Sequence, residues 1–281
     1  MSTNKVIVIT GSSDGIGAAA ARQLHERGHR VVIVGRSPEK TAAVARNLGV
    51  DSLVADFTRL EDVRTLASHL QDAYPRIDVL ANNAGGVFGD PTKTIDGFEK
   101  TFQINHLAPF LLTNLLIETL IESKASVIQT SSVGAKLAKA LNIDDLNHDH
   151  NFDATRAYTA AKLENILFTK ELHRRSHARG ISTAAFHPGN IATSFATQSE
   201  AGLMRFVATN RVARAVMLST PDKGADQLVW LADKNPGTDW QSGAYYEKRK
   251  PKRTNPQALD VRLATELWDR SEDMTASLSQ P

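Results

Sequence analysis

Tyr158 and Lys162 are the two residues whose types and spacing most clearly suggest chemistry. They lie four positions apart, which places both side chains on the same face of a helix. A free phenol has a pKa of about 10, and a neighbouring ammonium group favours the phenolate, so we expect Lys162 to lower the pKa of Tyr158. The pair could then move protons near neutral pH. By itself the pattern is weak evidence for a catalytic pair, because amphipathic helices also contain it by chance with both side chains solvated.

Two serines, Ser131 and Ser132, follow the run Val-Ile-Gln-Thr at 127–130. That run is predicted to be a strand, and a hydroxyl at its end can face the same cleft as the phenol. In a site that excludes water, such a hydroxyl can donate a hydrogen bond to an oxygen that becomes negatively charged during the reaction. Spacing alone does not decide which of the two serines would do so.

A glycine-rich turn follows the first predicted strand, where residues 10–17 have the sequence Thr-Gly-Ser-Ser-Asp-Gly-Ile-Gly. Glycine permits positive φ and a close approach of the backbone to a phosphate, and the N-terminus of the following helix offers free N–H groups. After the first strand of a βαβ unit, this pattern predicts a dinucleotide site. The residues assigned to this site are Gly11, Ser13, Asp14, Gly15, Ile16 and Gly17.

Arg36 follows the second predicted strand, where an enzyme that prefers NAD usually carries an acidic residue for the ribose 2′-hydroxyl. Gly35 and Arg36 supply no carboxylate at this position. A guanidinium can bind the 2′-phosphate of NADP through two parallel hydrogen bonds. The sequence therefore favours NADP(H) over NAD(H) as the cofactor. The alternative is a surface arginine in a loop that leads into a helix.

Short β-branched runs alternate with helical patterns along the 281 residues. Apolar runs without polar alternation, spaced by helices, indicate a parallel sheet that is covered on both faces. The predicted fold class is α/β, a doubly wound parallel sheet (Rossmann fold), whose ligands bind at the carboxyl ends of the strands. No linker divides the chain, so we predict one NAD(P)-binding domain over 1–281 with a small substrate lobe. The predicted strands are 6–10, 31–34, 52–55, 79–81, 127–130 and 183–186, and the predicted helices are 16–27, 38–47, 60–73, 98–123 and 158–178.

Composition and charge narrow the function classes. The chain has no cysteine, which excludes disulfides, thiolate metal sites and a cysteine nucleophile. Its net charge of +2 does not suggest a nucleic-acid partner, although five cations lie in the run 248–253. We interpret that run as a solvated connector rather than a localisation signal or a nucleic-acid patch. Because no signal-peptide pattern or bilayer-spanning run is present, we expect a cytoplasmic protein with no integral membrane segment.

Together these motifs resemble the short-chain dehydrogenase/reductase family, from residue 10 to about 268. Thr-Gly-x-x-x-Gly-x-Gly at 10–17, Asn-Asn-Ala-Gly at 82–85 and Tyr-x-x-x-Lys at 158–162 follow the family's order. The resemblance implies that Lys162 also binds the nicotinamide ribose and that Asn105 holds a water connecting Lys162 to solvent. The catalytic residues that it implies are Asn105, Ser132, Tyr158 and Lys162, with Ser131 in support. The further cofactor-binding residues that it implies are Asp56, Phe57, Asn83, Ala84, Gly85, Pro188, Gly189, Ile191 and Thr193.

Within that family, residues 162–168 and 243–246 resemble the retinol-dehydrogenase-like branch. An insertion in this branch matches the long stretch between Ser132 and Tyr158, which are 26 positions apart. The inserted residues, 144–150 among them, are predicted to form a wall of the substrate cleft.

Three other segments of the chain leave alternatives open. His148 and His150 could be metal ligands, but we favour a solvated loop and predict no metal. A substrate loop is placed at about 190–220, where apolar spacing predicts an amphipathic helix that is either a lid or core packing. A C-terminal extension is placed at about 247–281.

The resemblance predicts an NADP(H)-dependent oxidoreductase that transfers a hydride between nicotinamide and a carbonyl or an alcohol, lipophilic substrates included. One alternative is a catalytically silent NADP-binding sensor or scaffold, although such proteins usually lack the tyrosine or the lysine. Another is an extended nucleotide-sugar epimerase, which has a longer chain and a different glycine spacing. A homodimer through helices 98–123 and 156–178 is expected. Alternatively, the tail with Leu267 and Trp268 folds over that surface.

Overall fold

The structure is a computed structural model that describes residues 4–150, 152–189 and 220–276. Most of the predicted substrate loop, together with Ile191 and Thr193, lies outside the described residues. The roles that the sequence suggested for that segment therefore stay predictions.

The strands of the described residues form one eight-stranded sheet with the order β3-β2-β1-β4-β5-β6-β7-β8. All neighbouring strands are parallel except β7 and β8, which are antiparallel. After β3 the chain crosses to the other side of β1, and this switch of direction opens a crevice at the carboxyl edge. The predicted doubly wound α/β fold is confirmed. The strands are β1 Val6–Thr10, β2 Arg30–Gly35, β3 Asp51–Val54, β4 Val79–Asn82, β5 Ser126–Thr130, β6 Ser182–Phe186, β7 Ala244–Glu247 and β8 Lys250–Pro251.

Helices pack on both faces of this sheet. One apolar core lies under α3, α5 and α7, and a second core lies under α1, α2 and α8 on the opposite face. Three of the helices, α1 to α3, form within one residue of their predicted bounds. The helices are α1 Gly15–Glu26, α2 Pro38–Leu48, α3 Leu60–Ala73, α4 Lys100–Phe102, α5 Ala108–Leu115, α6 Ile117–Glu122, α7 Ala154–Ser176, α8 Pro221–Asp233 and α9 Val261–Ala276.

The stretch 98–123 is not the single helix that the sequence predicted. Between α4 and α5 the chain forms a π-helical turn at Gln103–Leu107. Pro109 has no N–H group, so the α-helical hydrogen bond to the carbonyl of Asn105 cannot form. The N–H of Ala108 donates instead to Gln103, five residues earlier. Such turns frequently mark functional sites, and this one carries Asn105.

The C-terminal helix α9 covers the face of α5 and α7. The ring of Trp268 lies 5.0 Å from the ring of Phe110 and 5.6 Å from the ring of Phe168, between centroids. Ser271 and His106 share a hydrogen bond of 2.9 Å. The tail therefore folds over the surface that the sequence had assigned to dimerisation, as the alternative proposed. The homodimer itself stays a prediction.

The basic run 248–253 is a β-hairpin rather than the connector that we expected. Lys248 and Arg249 form its two-residue turn, and both have positive φ values, of 53° and 59°. The backbone N–H of Arg249 donates to Gln227 and its guanidinium pairs with Asp226 on α8. These contacts order the run, while its cationic side chains stay exposed. None of the helices in the described ranges is long and apolar enough to span a bilayer.

Candidate active site

The glycine turn joins β1 to α1 at the carboxyl edge of the sheet. Gly11 and Gly15 have positive φ values of 64° and 57°, which glycine adopts without strain. A Cβ at Gly17 would overlap with the carbonyl of Gly11 and lie 2.7 Å from Nδ2 of Asn83. Asp14 caps α1, because its carboxylate accepts the N–H of Gly15 at 2.7 Å. A larger side chain at Gly11 or Gly17 would displace the backbone.

The first turn of α1 is free to bind an anion. The N–H groups of Ile16 and Gly17 have no hydrogen-bond partner in the part of the chain that the structure describes. The macrodipole of α1 also favours negative charge at this end. The turn, with Ser13 beside it, therefore fits the pyrophosphate of a dinucleotide.

Asn83 and Ala84 brace the glycine turn from the neighbouring strand. Oγ1 of Thr10 accepts the N–H groups of both residues at 3.0 Å. The side-chain amide of Asn83 donates to the carbonyls of Thr10 at 3.0 Å and Gly11 at 3.2 Å. Asn83 therefore acts on the turn that would hold the cofactor. Our sequence reasoning gave no role to Thr10, although it is the one hydroxyl residue in an otherwise apolar strand.

Arg36 lies at the carboxyl end of β2 and is exposed. It makes no hydrogen bond or ion pair with any residue in the described ranges. Lys40, in the first turn of α2, lies 3.9 Å from the carboxylate of Asp14 and brings a second cation to this end of the strand. The sequence did not predict a role for Lys40, because only the packing of α2 brings its side chain close to the glycine turn. A Cβ at Gly35 would lie 2.7 Å from Cβ of Ser13, so a carboxylate there would displace the turn.

Asp56 and Phe57 follow β3 at the same edge. Oδ1 of Asp56 accepts the N–H of Thr58 at 3.0 Å. The N-terminus of α3 is capped by a different residue, since the N–H of Leu60 donates to Asp96 at 2.8 Å. Phe57 is buried in the core, whereas Asp56 lines a cavity of about 320 Å³ against residues 92–100. The role of Asp56 in cofactor binding stays a prediction.

The π-helical turn places Asn105 beside Lys162. The amide of Asn105 donates to the carbonyls of Gly86 at 2.9 Å and Thr101 at 2.7 Å, and its oxygen accepts the N–H of Gly86 at 3.2 Å. A Cβ at Gly85 would overlap with Oδ1 of Asn105 and lie 3.2 Å from Nζ of Lys162. Glycine at position 85 is therefore what allows the loop after β4 to approach these two side chains.

Tyr158 and Lys162 lie on the face of α7 that packs against the sheet. Nζ of Lys162 is 5.6 Å from the centre of the Tyr158 ring and donates to the carbonyl of Thr130 at 3.0 Å. Asn165, one turn further along α7, donates to the same carbonyl at 3.2 Å. The end of β5 thus holds the ammonium group through its backbone, a role of Thr130 that no side-chain pattern could reveal.

The pKa values of the pair differ from the sequence-based expectation. Burial raises the pKa of Tyr158 to about 12, and the hydrogen bond with Ser132 acts in the opposite direction. Burial lowers the pKa of Lys162 to about 7. The expected lowering of the Tyr158 pKa by Lys162 is therefore wrong for the chain alone. Desolvation of both groups exceeds their mutual attraction, and it also removes part of the charge that the lysine was expected to supply.

The two serines have different surroundings. Oγ of Ser131 is buried and donates to the backbone carbonyl of Lys162 at 2.7 Å, which ties β5 to α7. Ser132 begins a 3₁₀ turn at Val133–Leu137, and its Oγ accepts the N–H of Gly134 at 3.1 Å. Of the two serines, only Ser132 affects the pKa of Tyr158. The geometry therefore supports Ser132 as the residue that faces the phenol.

Pro188 and Gly189 extend from the end of β6 toward the same crevice. His187 starts this segment, and its N–H donates to the carbonyl of Tyr246 in β7 at 3.0 Å. Gly189 has a φ of 89°, so the chain turns there in a conformation that favours glycine. The role of this segment in cofactor binding stays a prediction.

The insertion between Ser132 and Tyr158 forms an ordered wall beside α7. Within it, the carboxylate of Asp145 accepts the N–H groups of Asp149 at 2.7 Å and His150 at 3.4 Å. Asp149 also pairs with Lys93 from the loop after β4. Among the described residues no group of three or more histidine, aspartate or glutamate side chains could hold a metal ion.

A cavity of about 350 Å³ lies between the insertion and the start of α7. The side chain of Leu137, which is 76% exposed, contributes to its lining, together with Thr155 and Thr159 on the helix that carries Tyr158. The cavity therefore borders the catalytic helix on the side where the sequence placed the substrate wall.

A doubly wound sheet with a glycine turn after β1, a half-buried tyrosine and a buried lysine defines a nucleotide-dependent oxidoreductase. The short chain dehydrogenase family matches residues 5–203, and the chain belongs to that family. It is an NAD(P)-dependent enzyme that acts on CH–OH groups.

Two curated relatives and one solved structure show the extent of this similarity. DnrU of Streptomyces sp. (strain C5), a proposed daunorubicin C-13 ketoreductase, is 41% identical over 95% of this chain and 91% of its own length. Human retinol dehydrogenase 14 is 36% identical over 98% of this chain and 87% of its own length. The crystal structure of an uncharacterized protein from Mycobacterium paratuberculosis has a TM-score of 0.77 at 30% identity, covering 98% of this chain and 94% of that one. The resemblance to the retinol-dehydrogenase-like branch is confirmed.

Proposed function

We propose that this chain is an NADP(H)-dependent carbonyl reductase in which Tyr158 donates the proton. One observation carries the proposal: the phenol of Tyr158 shares a hydrogen bond with the hydroxyl of Ser132, and Nζ of Lys162 lies 5.6 Å from the centre of its ring. A phenol that stays protonated at neutral pH can act as a general acid on a carbonyl oxygen. The reverse reaction, alcohol oxidation, requires the phenolate and should need a higher pH.

The placement of the other residues supports the following roles. When bound, the nicotinamide cofactor supplies the hydride. The hydroxyl of Ser132 donates to the carbonyl oxygen of the substrate as negative charge develops there. Lys162 donates to the ribose hydroxyls, since its Nζ lies beside Gly85 at the cofactor edge. The carbonyl of Asn105, which lacks an α-helical donor, is available to a water next to Lys162.

Arg36 and Lys40 support NADP(H) as the cofactor. Both cations stand at the end of β2, where no carboxylate selects for a ribose 2′-hydroxyl. A guanidinium binds a phosphate through charge-assisted hydrogen bonds, which are stronger than bonds between neutral groups. We therefore assign the 2′-phosphate to Arg36, with Lys40 as a second positive charge nearby.

We propose lipophilic carbonyl compounds as substrates. The relatives are named for daunorubicin, a bulky polycyclic ketone, and retinol, an apolar polyene alcohol. The cavity at the start of α7 has an exposed leucine, Leu137, among charged side chains and threonines, so the substrate class is proposed from the relatives rather than from this lining. All-trans-retinal and daunorubicin are suitable first probes, with small aromatic aldehydes for comparison. A cytoplasmic location stays a prediction.

The cofactor assignment is tested by titrating NADPH and NADH against Arg36→Ala. Loss of a bidentate charge-assisted contact of about 1.5–3 kcal/mol should weaken NADPH binding roughly 10–150-fold and leave NADH unchanged. Arg46→Ala is the matched control, because Arg46 is an exposed arginine further along α2. Equal losses for both cofactors in Arg36→Ala would contradict the assignment. Absence of NADPH oxidation with every carbonyl probe would contradict the proposed reaction.

A further inference from the structure

Tyr245 and Tyr246 are adjacent residues of β7 whose side chains lie on opposite faces of the sheet. Tyr245 packs in the core beneath α7, whereas Tyr246 packs in the core beneath α1 and α8. Both are almost fully buried, with 3% and 1% of their surfaces exposed. Only Tyr245 is therefore on the side of the sheet that carries the reactive pair.

The hydroxyl of Tyr245 reaches the residue that faces the phenol. Its Oη lies 3.5 Å from the carbonyl oxygen of Ser132, the outer limit of a hydrogen bond. Ser132 is also held through its side chain, since its Oγ accepts the N–H of Gly134 at 3.1 Å. One contact involves the backbone carbonyl of Ser132 and the other its side chain. Together they leave the hydroxyl hydrogen of Ser132 as the group that can turn toward Tyr158 or a substrate oxygen.

Tyr245 is itself fixed by the C-terminal extension. Its carbonyl accepts the N–H of Lys252, which follows the β7–β8 hairpin, at 2.8 Å. In the sheet it stands opposite Ala185 of β6. A substitution that removes only the hydroxyl would leave these backbone contacts in place, so the effect of the hydroxyl can be measured separately.

We propose that Tyr245 is a positioning residue, whose hydroxyl orients Ser132 toward Tyr158. The proposal rests on the proposed function, in which Ser132 stabilises the developing oxyanion. Burial, together with the nearby Glu247 and Tyr158, raises the pKa of Tyr245, so it remains a neutral donor across the working pH range. Glu247 is paired with Lys136 at 3.5 Å.

Other titratable groups lie near this cluster. His187, at the end of β6, has a pKa that burial lowers, with smaller and opposite effects from Glu247 and Lys136. On the side of α7, Lys162 faces the ring of Tyr158. A change in the pH profile must therefore be assigned by comparing variants rather than from one profile.

The test compares Tyr245→Phe with Tyr246→Phe. The Tyr246 hydroxyl accepts the N–H of Gln241 at 2.6 Å and donates to the carbonyl of Gln241 at 3.1 Å, so its removal should cost more stability. Tyr245→Phe should nevertheless lower kcat by roughly two- to tenfold, with the Kd for NADPH unchanged. Because the Ser132 contact lowers the pKa of Tyr158, the apparent pKa for alcohol oxidation should rise in Tyr245→Phe. Tyr246→Phe should keep both the kcat and the pH profile of the parent enzyme.

A double variant shows whether Tyr245 acts through Ser132. Ser132→Ala alone should lower kcat on the order of 10²–10³-fold, the usual loss of one oxyanion donor. Adding Tyr245→Phe to Ser132→Ala should then have no further effect on kcat, because no hydroxyl remains to be oriented.

The two possible failures are distinguishable. A wild-type kcat in Ser132→Ala would overturn the oxyanion role in the proposed function. A normal Ser132→Ala loss, with Tyr245→Phe indistinguishable from Tyr246→Phe or fully additive with Ser132→Ala, would overturn only the role of Tyr245.

Discussion

The two ends of the crevice are built by different physical means. At the cofactor end, the backbone forms the surface: Gly11 and Gly17 allow close packing, and Asn83 braces the turn through carbonyls. At the catalytic end, buried ionisable side chains form the surface, and Tyr158 and Lys162 have pKa values far from their usual ones. The first end depends on steric fit and the second on desolvation.

This difference determines which substitutions each end tolerates. A methyl group added to the glycine turn should disturb binding of both cofactors, because the added atom meets backbone that cannot move away. Removing one oxygen at the catalytic end should leave the packing intact and abolish only the chemistry. The three predictions that follow test this contrast, in order of decreasing effect.

Tyr158→Phe should cause the largest loss. Without a proton donor, kcat for carbonyl reduction should fall on the order of 10²–10⁴-fold, while the Kd for NADPH stays within about twofold. Stopped-flow turnover and fluorescence titration of NADPH measure the two quantities separately. A variant that kept the parent kcat would remove Tyr158 from the mechanism.

Gly11→Ala should weaken both NADPH and NADH by roughly tenfold or more. Alanine is strained at a φ of 64°, by about 1–2 kcal/mol, and its Cβ would lie 2.7 Å from Cα of Ala84. Gly49→Ala is the matched control, since Gly49 has a φ of 67° but no atom within 4 Å of the added Cβ. The control should lose a similar strain energy in thermal unfolding and keep its cofactor affinity. Equal affinity losses in both variants would show that strain, not the contact with Ala84, is responsible.

The smallest effect concerns protons taken up when NADPH binds. Burial lowers the pKa of Lys162 to about 7, so above pH 7 the free enzyme holds it mostly neutral. An anionic cofactor favours the charged form and raises that pKa, so binding should take up a proton between about pH 7 and 9. Affinity should then fall with increasing pH, by at most about tenfold per unit. Calorimetry in buffers of different ionisation enthalpy measures the uptake, and Lys162→Met should abolish it. Equal proton uptake by Lys162→Met and the parent enzyme would show that a group other than Lys162 titrates.

The sequence determined six of the eight strands, the glycine turn and the reactive pair, because each depends on local pattern, whereas β7 and β8 were not predicted. A β-branched run followed by glycines at 11, 15 and 17 is typical of a strand that ends in a phosphate-binding turn. The spacing of Tyr158 and Lys162 places both side chains on one face of any helix. The same local patterns predicted α1 to α3 to within one residue.

Only the tertiary structure decided the properties that depend on distant neighbours. Desolvation by the packing around α7 raises the pKa of Tyr158, the opposite of the change expected from Lys162 alone. The π-helical turn interrupts a predicted helix, because Pro109 lacks the N–H group of an α-helical hydrogen bond. The loop after β4 provides hydrogen-bond partners for the side chain of Asn105. Tyr245 on β7 meets Ser132 after β5 across one intervening strand, 113 positions apart in sequence. Desolvation and long-range contacts arise from the packed chain as a whole, so no local pattern of residues can specify them.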